Sequence, residues 1–223
     1  MQSSQISFLA SKSSGDVSGI LITPDHAEYL LVLGHGAGAP AQSSGMKNIA
    51  LALANHNIAT LRYNYPYMEK GLKWPGPPAI AQATVRSALQ YAVNLNLGLP
   101  ILAGGKSYGG RMTSQAVSSE PLPGVIGLIF YGFPLHAPGR ESIDRAAHLQ
   151  DITIPMLFLQ GTRDSLAKIP LITQVTDSLK LAYLHIVEGG DHSFHMLKSE
   201  GISDREVQQG LASKVSEWAN KLK

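Results

Sequence analysis

The feature that most constrains this chain is a series of short apolar runs, each bounded by turn-forming residues, that alternate with longer segments of helical period. The run at 28–33 reads Glu-Tyr-Leu-Leu-Val-Leu, and consecutive apolar residues leave a strand no face for water. Similar runs stand at 58–63, 100–103, 125–131, 155–160 and 182–187. Helices are predicted between them at 44–55, 79–96, directly after Ser107, at 168–179 and at 204–222. This rhythm predicts an α/β fold: a mainly parallel sheet with helices on both faces, joined by right-handed crossovers. Two alternating segments at 5–10 and 17–23 flank Ser13-Ser14-Gly15-Asp16, which predicts an opening antiparallel pair and makes the sheet mixed.

A chain of 223 residues suits one domain spanning 1–223. Its 44% hydrophobic and 15% charged residues lie in the globular range. With a formal charge of +2 and no basic block, the chain has nothing to track a phosphate backbone or an anionic membrane, so neither partner is expected. The absence of cysteine excludes thiolate nucleophiles, thiolate metal sites and disulfides. No basic start followed by a long apolar run marks the N-terminus, and no stretch approaches a membrane span; a cytoplasmic protein is expected. Two longer segments, 64–78 and 132–154, interrupt the rhythm as candidate binding loops, and neither is long enough for a large helical cap.

The sharpest local signal is Gly105-Lys106-Ser107-Tyr108-Gly109, placed between an apolar strand and a helix. In a chain with 22 glycines the G-x-S-x-G pattern is weak alone; its position gives it force. A strand that turns sharply into a helix brings the residues two positions either side of the serine together, which demands small side chains. It also lifts the hydroxyl clear of the sheet beside free helix N–H groups. Downstream, the strand at 156–160 runs into Gly161-Thr162-Arg163-Asp164, and that at 182–187 into Glu188-Gly189-Gly190-Asp191-His192. A carboxylate and an imidazole thus reach the same rim of the sheet. Serine needs a base to accept its proton, and the base needs an acid to fix its tautomer, so Ser107, His192 and Asp164 are the expected catalytic triad. His195 competes with His192, whose preceding glycines allow closer approach. The loop His35-Gly36-Ala37-Gly38-Ala39 comes after the 28–33 strand; the N–H groups of Ala37 and Tyr108 are the expected oxyanion donors, with His35 holding the loop. Tyr65, Tyr67, Trp74, Phe133 and His136, from the two long loops, are expected to line the substrate site.

Competing motifs are weaker. Gly36-Ala37-Gly38-Ala39-Pro40-Ala41 fits a dinucleotide fingerprint, but the next strand ends in Arg62-Tyr63-Asn64 where an acidic ribose ligand should stand. Gly105-Lys106-Ser107 fails as a phosphate loop because Pro100 occupies the place of its first glycine. The histidines are dispersed, so neither a metal nor another cofactor is expected.

Five segments carry a family resemblance: Gly34-His35-Gly36-Ala37-Gly38-Ala39, Arg62-Tyr63-Asn64-Tyr65-Pro66, Gly104-Gly105-Lys106-Ser107-Tyr108-Gly109-Gly110-Arg111, Leu159-Gln160-Gly161-Thr162-Arg163-Asp164 and Gly189-Gly190-Asp191-His192-Ser193. In these the chain resembles the α/β-hydrolase superfamily, in a branch related to dienelactone hydrolases and to the hydrolase-like domain of the NSL-complex regulatory subunit. The resemblance implies an α/β-hydrolase fold, to which the segment lengths add the expectation of no large cap domain, and carries the triad roles onto Ser107, Asp164 and His192. It departs from dienelactone hydrolases, which use a cysteine nucleophile. The expected function is that of a serine hydrolase, a carboxylic-ester hydrolase acting on a small-molecule ester, thioester or related acyl substrate. The alternative is a binding or scaffold protein that keeps the fold without the reaction.

Overall fold

Every apolar run becomes a strand of one eight-stranded sheet in the computed structural model, which describes residues 1–122 and 124–223. The strands are β1 (Gln2–Ser11), β2 (Gly15–Thr23), β3 (Tyr29–Gly34), β4 (Ile58–Tyr63), β5 (Ile101–Lys106), β6 (Val125–Tyr131), β7 (Met156–Gly161) and β8 (Ala182–Val187). Their order is β1-β2-β4-β3-β5-β6-β7-β8. β1 and β2 form the antiparallel hairpin, β2 joins β4 antiparallel, and the remaining pairs are parallel. The helices are α1 (Ser44–Ala54), α2 (Pro66–Glu69), α3 (Pro78–Asn94), α4 (Tyr108–Ser119), α5 (Ile169–Asp177) and α6 (Asp204–Ala219).

Side chains of a strand alternate between faces, and the central strands build two cores in that way. Leu30, Val32, Ala103, Leu128, Phe130 and Phe158 pack with Val85 and Leu89 of α3, Met112 of α4 and Ile172 of α5. Their neighbours Leu31, Leu33, Leu102, Ile129, Leu157 and Leu159 pack on the other face with Ile49 and Leu53 of α1 and Leu211, Val215 and Trp218 of α6. Burial of both faces explains the unbroken apolar runs.

Most boundaries shift by a few residues from the sequence reading, and three departures are informative. β5 continues through Gly104 and Gly105 to Lys106, although glycine is a poor strand former. Pairing on both sides overrides the propensity, with Gly105 opposite Gly34 and Phe130. The last helix closes at Ala219 and continues as a 3₁₀ turn over Asn220–Leu222. The long loops are partly ordered: 64–78 contains α2, and 132–154 contains a 3₁₀ run over Asp144–Asp151. No described helix is long and apolar enough to cross a membrane.

Candidate active site

Ser107 is the hinge between β5 and α4, with φ +52° and ψ −113°. An L-residue in such a conformation costs about 1–3 kcal/mol and persists only when its surroundings over-determine it. Here its N–H donates to Tyr131 O at 3.0 Å, and its carbonyl accepts from Arg111 N–H at 3.1 Å. The turn closes only without side chains: a Cβ on Gly105 would stand 2.5 Å from Gly34 O and 2.6 Å from the carbonyl carbon of Gly109. The sequence demand for small flanking residues therefore has a literal cause, the contact of the elbow with the end of β3.

Two further strand ends complete a chain of hydrogen bonds. Ser107 Oγ lies 2.8 Å from His192 Nε2, and His192 Nδ1 lies 2.7 Å from Asp164 Oδ2. A carboxylate only accepts, so Nδ1–H is the donor and Nε2 is left to accept the serine proton. Asp164 also accepts from Leu166 N–H at 2.7 Å and Gln160 Nε2 at 2.5 Å. Burial pushes its carboxyl up, but the bond to His192 and these two donors outweigh burial and hold it below the usual carboxylate value. Gly132, at φ +68°, lets the β6 loop pass close behind the imidazole; a Cβ there would meet His192 Nδ1 at 3.3 Å. His195 turns away from Ser107 to Asp204 Oδ2, 2.7 Å from its Nδ1.

The loop after β3 is tied from behind. His35 is fully buried; its Nε2 accepts from Tyr65 N–H at 3.1 Å, so Nδ1–H donates to Gly36 O at 2.6 Å. Burial pushes the imidazole down to about 4, which keeps it neutral. The Tyr67 hydroxyl donates to Ala37 O at 2.9 Å. Tyr108 opens α4, so its N–H has no partner within the helix.

Ser107 and His192 open onto a cleft of about 650 Å³, walled by the Gly36–Ala39 loop, the start of α1, Leu166, the 193–195 loop, and Asp204 and Gln208 of α6. None of the five residues expected to line the substrate site reaches it. Tyr65 and Tyr67 are buried against His35 and Tyr108, where they brace the Ala37 loop. Trp74 is 80% exposed beside a separate hollow of about 160 Å³. Phe133 packs on Phe130 and Phe158, and buried His136 binds Leu166 O through its N–H at 3.1 Å. The cleft is thus lined by the loops after β3, β7 and β8 and by the starts of α1 and α6, while Tyr65 and Tyr67 of the first long loop pack behind it. The sequence reading missed Gln160, Gly132 and Lys106, whose ammonium donates to His192 O. Gln160 carried a readable signal, as the one amide in the buried run Met-Leu-Phe-Leu-Gln. Among the described residues no group of three or more His, Cys, Asp or Glu is placed to hold a metal ion.

Known structures share this architecture at low identity. A dienelactone hydrolase from Anabaena variabilis superposes with a TM-score of 0.75 at 19% identity, covering 97% of this chain and 96% of the other. Est1E from Butyrivibrio proteoclasticus gives 0.74 at 15% identity over 98% of each chain. XC6422 from Xanthomonas campestris, described as an α/β serine hydrolase without lid, gives 0.70 at 17%, over 94% of this chain and 93% of its own. At such identities the likeness is one of fold. The family model for the alpha/beta hydrolase domain matches residues 27–220, and the chain belongs to that family.

Proposed function

We propose that this protein is a serine hydrolase that cleaves a small ester, thioester or related acyl substrate, with Ser107 as nucleophile, His192 as base and Asp164 as orienting acid. The observation that carries the reading is the unbroken Ser107–His192–Asp164 chain at 2.8 and 2.7 Å, built on a strained serine at the mouth of an open cleft. The resemblance in fold to an esterase and to a serine hydrolase supports it.

His192 Nε2 takes the hydroxyl proton as Ser107 Oγ bonds to the substrate carbonyl carbon, and the carbonyl electrons move onto oxygen. The N–H groups of Ala37 and Tyr108 face that oxyanion, and Tyr67 and His35 fix the loop that carries the first of them. Collapse expels the alcohol or thiol, which takes the proton from His192. Water then repeats the sequence on the acyl-enzyme and restores Ser107. Asp164, held ionised, stabilises the imidazolium in both halves.

A fluorophosphonate tests the reading without knowledge of the substrate, because phosphonylation needs the same activated hydroxyl, base and donors. One adduct is expected, on the peptide containing Ser107, and none in Ser107→Ala. His192→Ala should slow labelling severely and His195→Ala only slightly. A native chain that stays unlabelled under conditions that modify a serine esterase would favour a binding protein on a hydrolase fold.

A further inference from the structure

Lys106 has no role in the steps above, yet it precedes Ser107 in the chain and lines the same cleft. Its Nζ donates to the carbonyl oxygen of His192, 86 residues away in sequence, and stands 5.7 Å from the centre of the Phe194 ring. The loop it grips is closed on itself. Asp191 Oδ1 accepts from Ser193 N–H at 2.7 Å and His195 N–H at 2.9 Å, and Phe194 is held at φ +66°. Such a loop moves as a unit, so a bond to its His192 carbonyl sets where the whole imidazole stands relative to β5.

We propose that Lys106 is a positioning residue whose ammonium clamps the His192 carbonyl and so fixes the reach of the imidazole to Ser107 Oγ. The inference rests on the Ser107–His192–Asp164 reading. The groups that face Lys106 are Asp164 on the loop after β7, Asp191 and His192 on the loop after β8, and Tyr131, its register partner on β6. His195 and Asp204 pair with each other at the outer wall of the cleft. Gly36 of the Ala37 loop packs on its stem, where a Cβ would stand 3.7 Å from Lys106 Cγ. Burial pushes the ammonium down to about 8, against the opposing pull of Asp164 and Asp191. The clamp is therefore charged below that pH and a weaker, neutral donor above it. Tyr131, buried and pushed well above the ordinary phenol value, does not ionise in this range.

The test is the pH dependence of fluorophosphonate labelling at Ser107 between pH 5 and 10, in the native full chain, Lys106→Arg and Lys106→Met, with circular dichroism to verify folding. The native rate should decline above about pH 8. Lys106→Arg should keep the rate below that pH and lose the alkaline decline, because a guanidinium stays charged throughout. Lys106→Met should label about tenfold more slowly at its optimum, the loss of one charge-assisted hydrogen bond. A folded Lys106→Met that labels at the native rate, or an alkaline decline that survives in Lys106→Arg, would overturn the proposal and leave the triad reading standing. A native chain that never labels would overturn the triad reading, and this one with it.

Discussion

At the scale of the residue, Asp164 shows how one acceptor governs the site. Asp164→Asn keeps the shape, but the new amide can satisfy Leu166 N–H only by turning its NH₂ toward His192 and Gln160. His192 Nδ1 must then accept, which puts the remaining proton on Nε2 and aims it at Ser107. The expected result is a rate lower by about 10⁴-fold with unchanged circular dichroism, the cost that the wrong tautomer carries in serine proteases; a nearly silent variant would refute Asp164 as the acid. His35 makes a prediction of a different kind. Its folded value near 4 lies below the ordinary 6.5, so the unfolded chain binds a proton that the folded chain refuses. The associated stability is fully present above about pH 6.5 and is lost as pH falls toward 4, by about 3 kcal/mol at most. Urea unfolding at pH 7.5 and 4.5 should show the drop, and His35→Gln should be weaker at pH 7.5 with a smaller drop.

At the scale of the element, the cost of change depends on what each turn must accommodate. Gly109→Ala would drive a Cβ into the backbone of Gly34 and His35, where no side chain can yield. A loss of roughly 3 kcal/mol in urea unfolding is expected, along with loss of labelling as the elbow opens. Ser203 caps α6 through a reciprocal pair with Glu206, its hydroxyl accepting from Glu206 N–H at 3.3 Å and its own N–H donating to Glu206 Oε2 at 2.8 Å. Ser203→Ala should cost about 1 kcal/mol, measurable as a lower urea midpoint. Elements of this kind are largely legible in sequence, because burial on two faces writes unbroken apolar runs and helices write their period. The strand that ends in Gly104-Gly105-Lys106 was not, since its pairing comes from β3 and β6 rather than from its own residues.

At the scale of the whole molecule, the meeting of Ser107, Asp164 and His192 was legible and much of the cleft around them was not. Ser107, Asp164 and His192 each stand just beyond an apolar strand, and parallel strands bring the loops at their carboxyl ends to one rim. The walls of the cleft come from the starts of α1 and α6, far apart in sequence, and nothing local marks them as neighbours. The aromatic residues of 64–78 and 132–154 looked like one pocket because loops that carry rings often are; here Tyr65, Tyr67 and Trp74 line a hollow separate from the Ser107 cleft, and Phe133 packs in the core. The hydrogen bond on which the proposed reactivity of Ser107 rests spans 85 residues and reaches a loop beyond the last strand. On the proposed mechanism, reactivity is expected to be a late property of folding, acquired only after the β8 end of the sheet has docked. Trp218 of α6 is one of two tryptophans and is buried, whereas Trp74 is exposed. During refolding from urea, labelling of Ser107 should never precede the change in Trp218 fluorescence, in a chain whose Trp74 is replaced by Phe; labelling that came first would show the site assembling without α6. On the proposed mechanism, a half-made chain emerging from a ribosome should be chemically mute: it would carry the serine long before it carries the base that activates it.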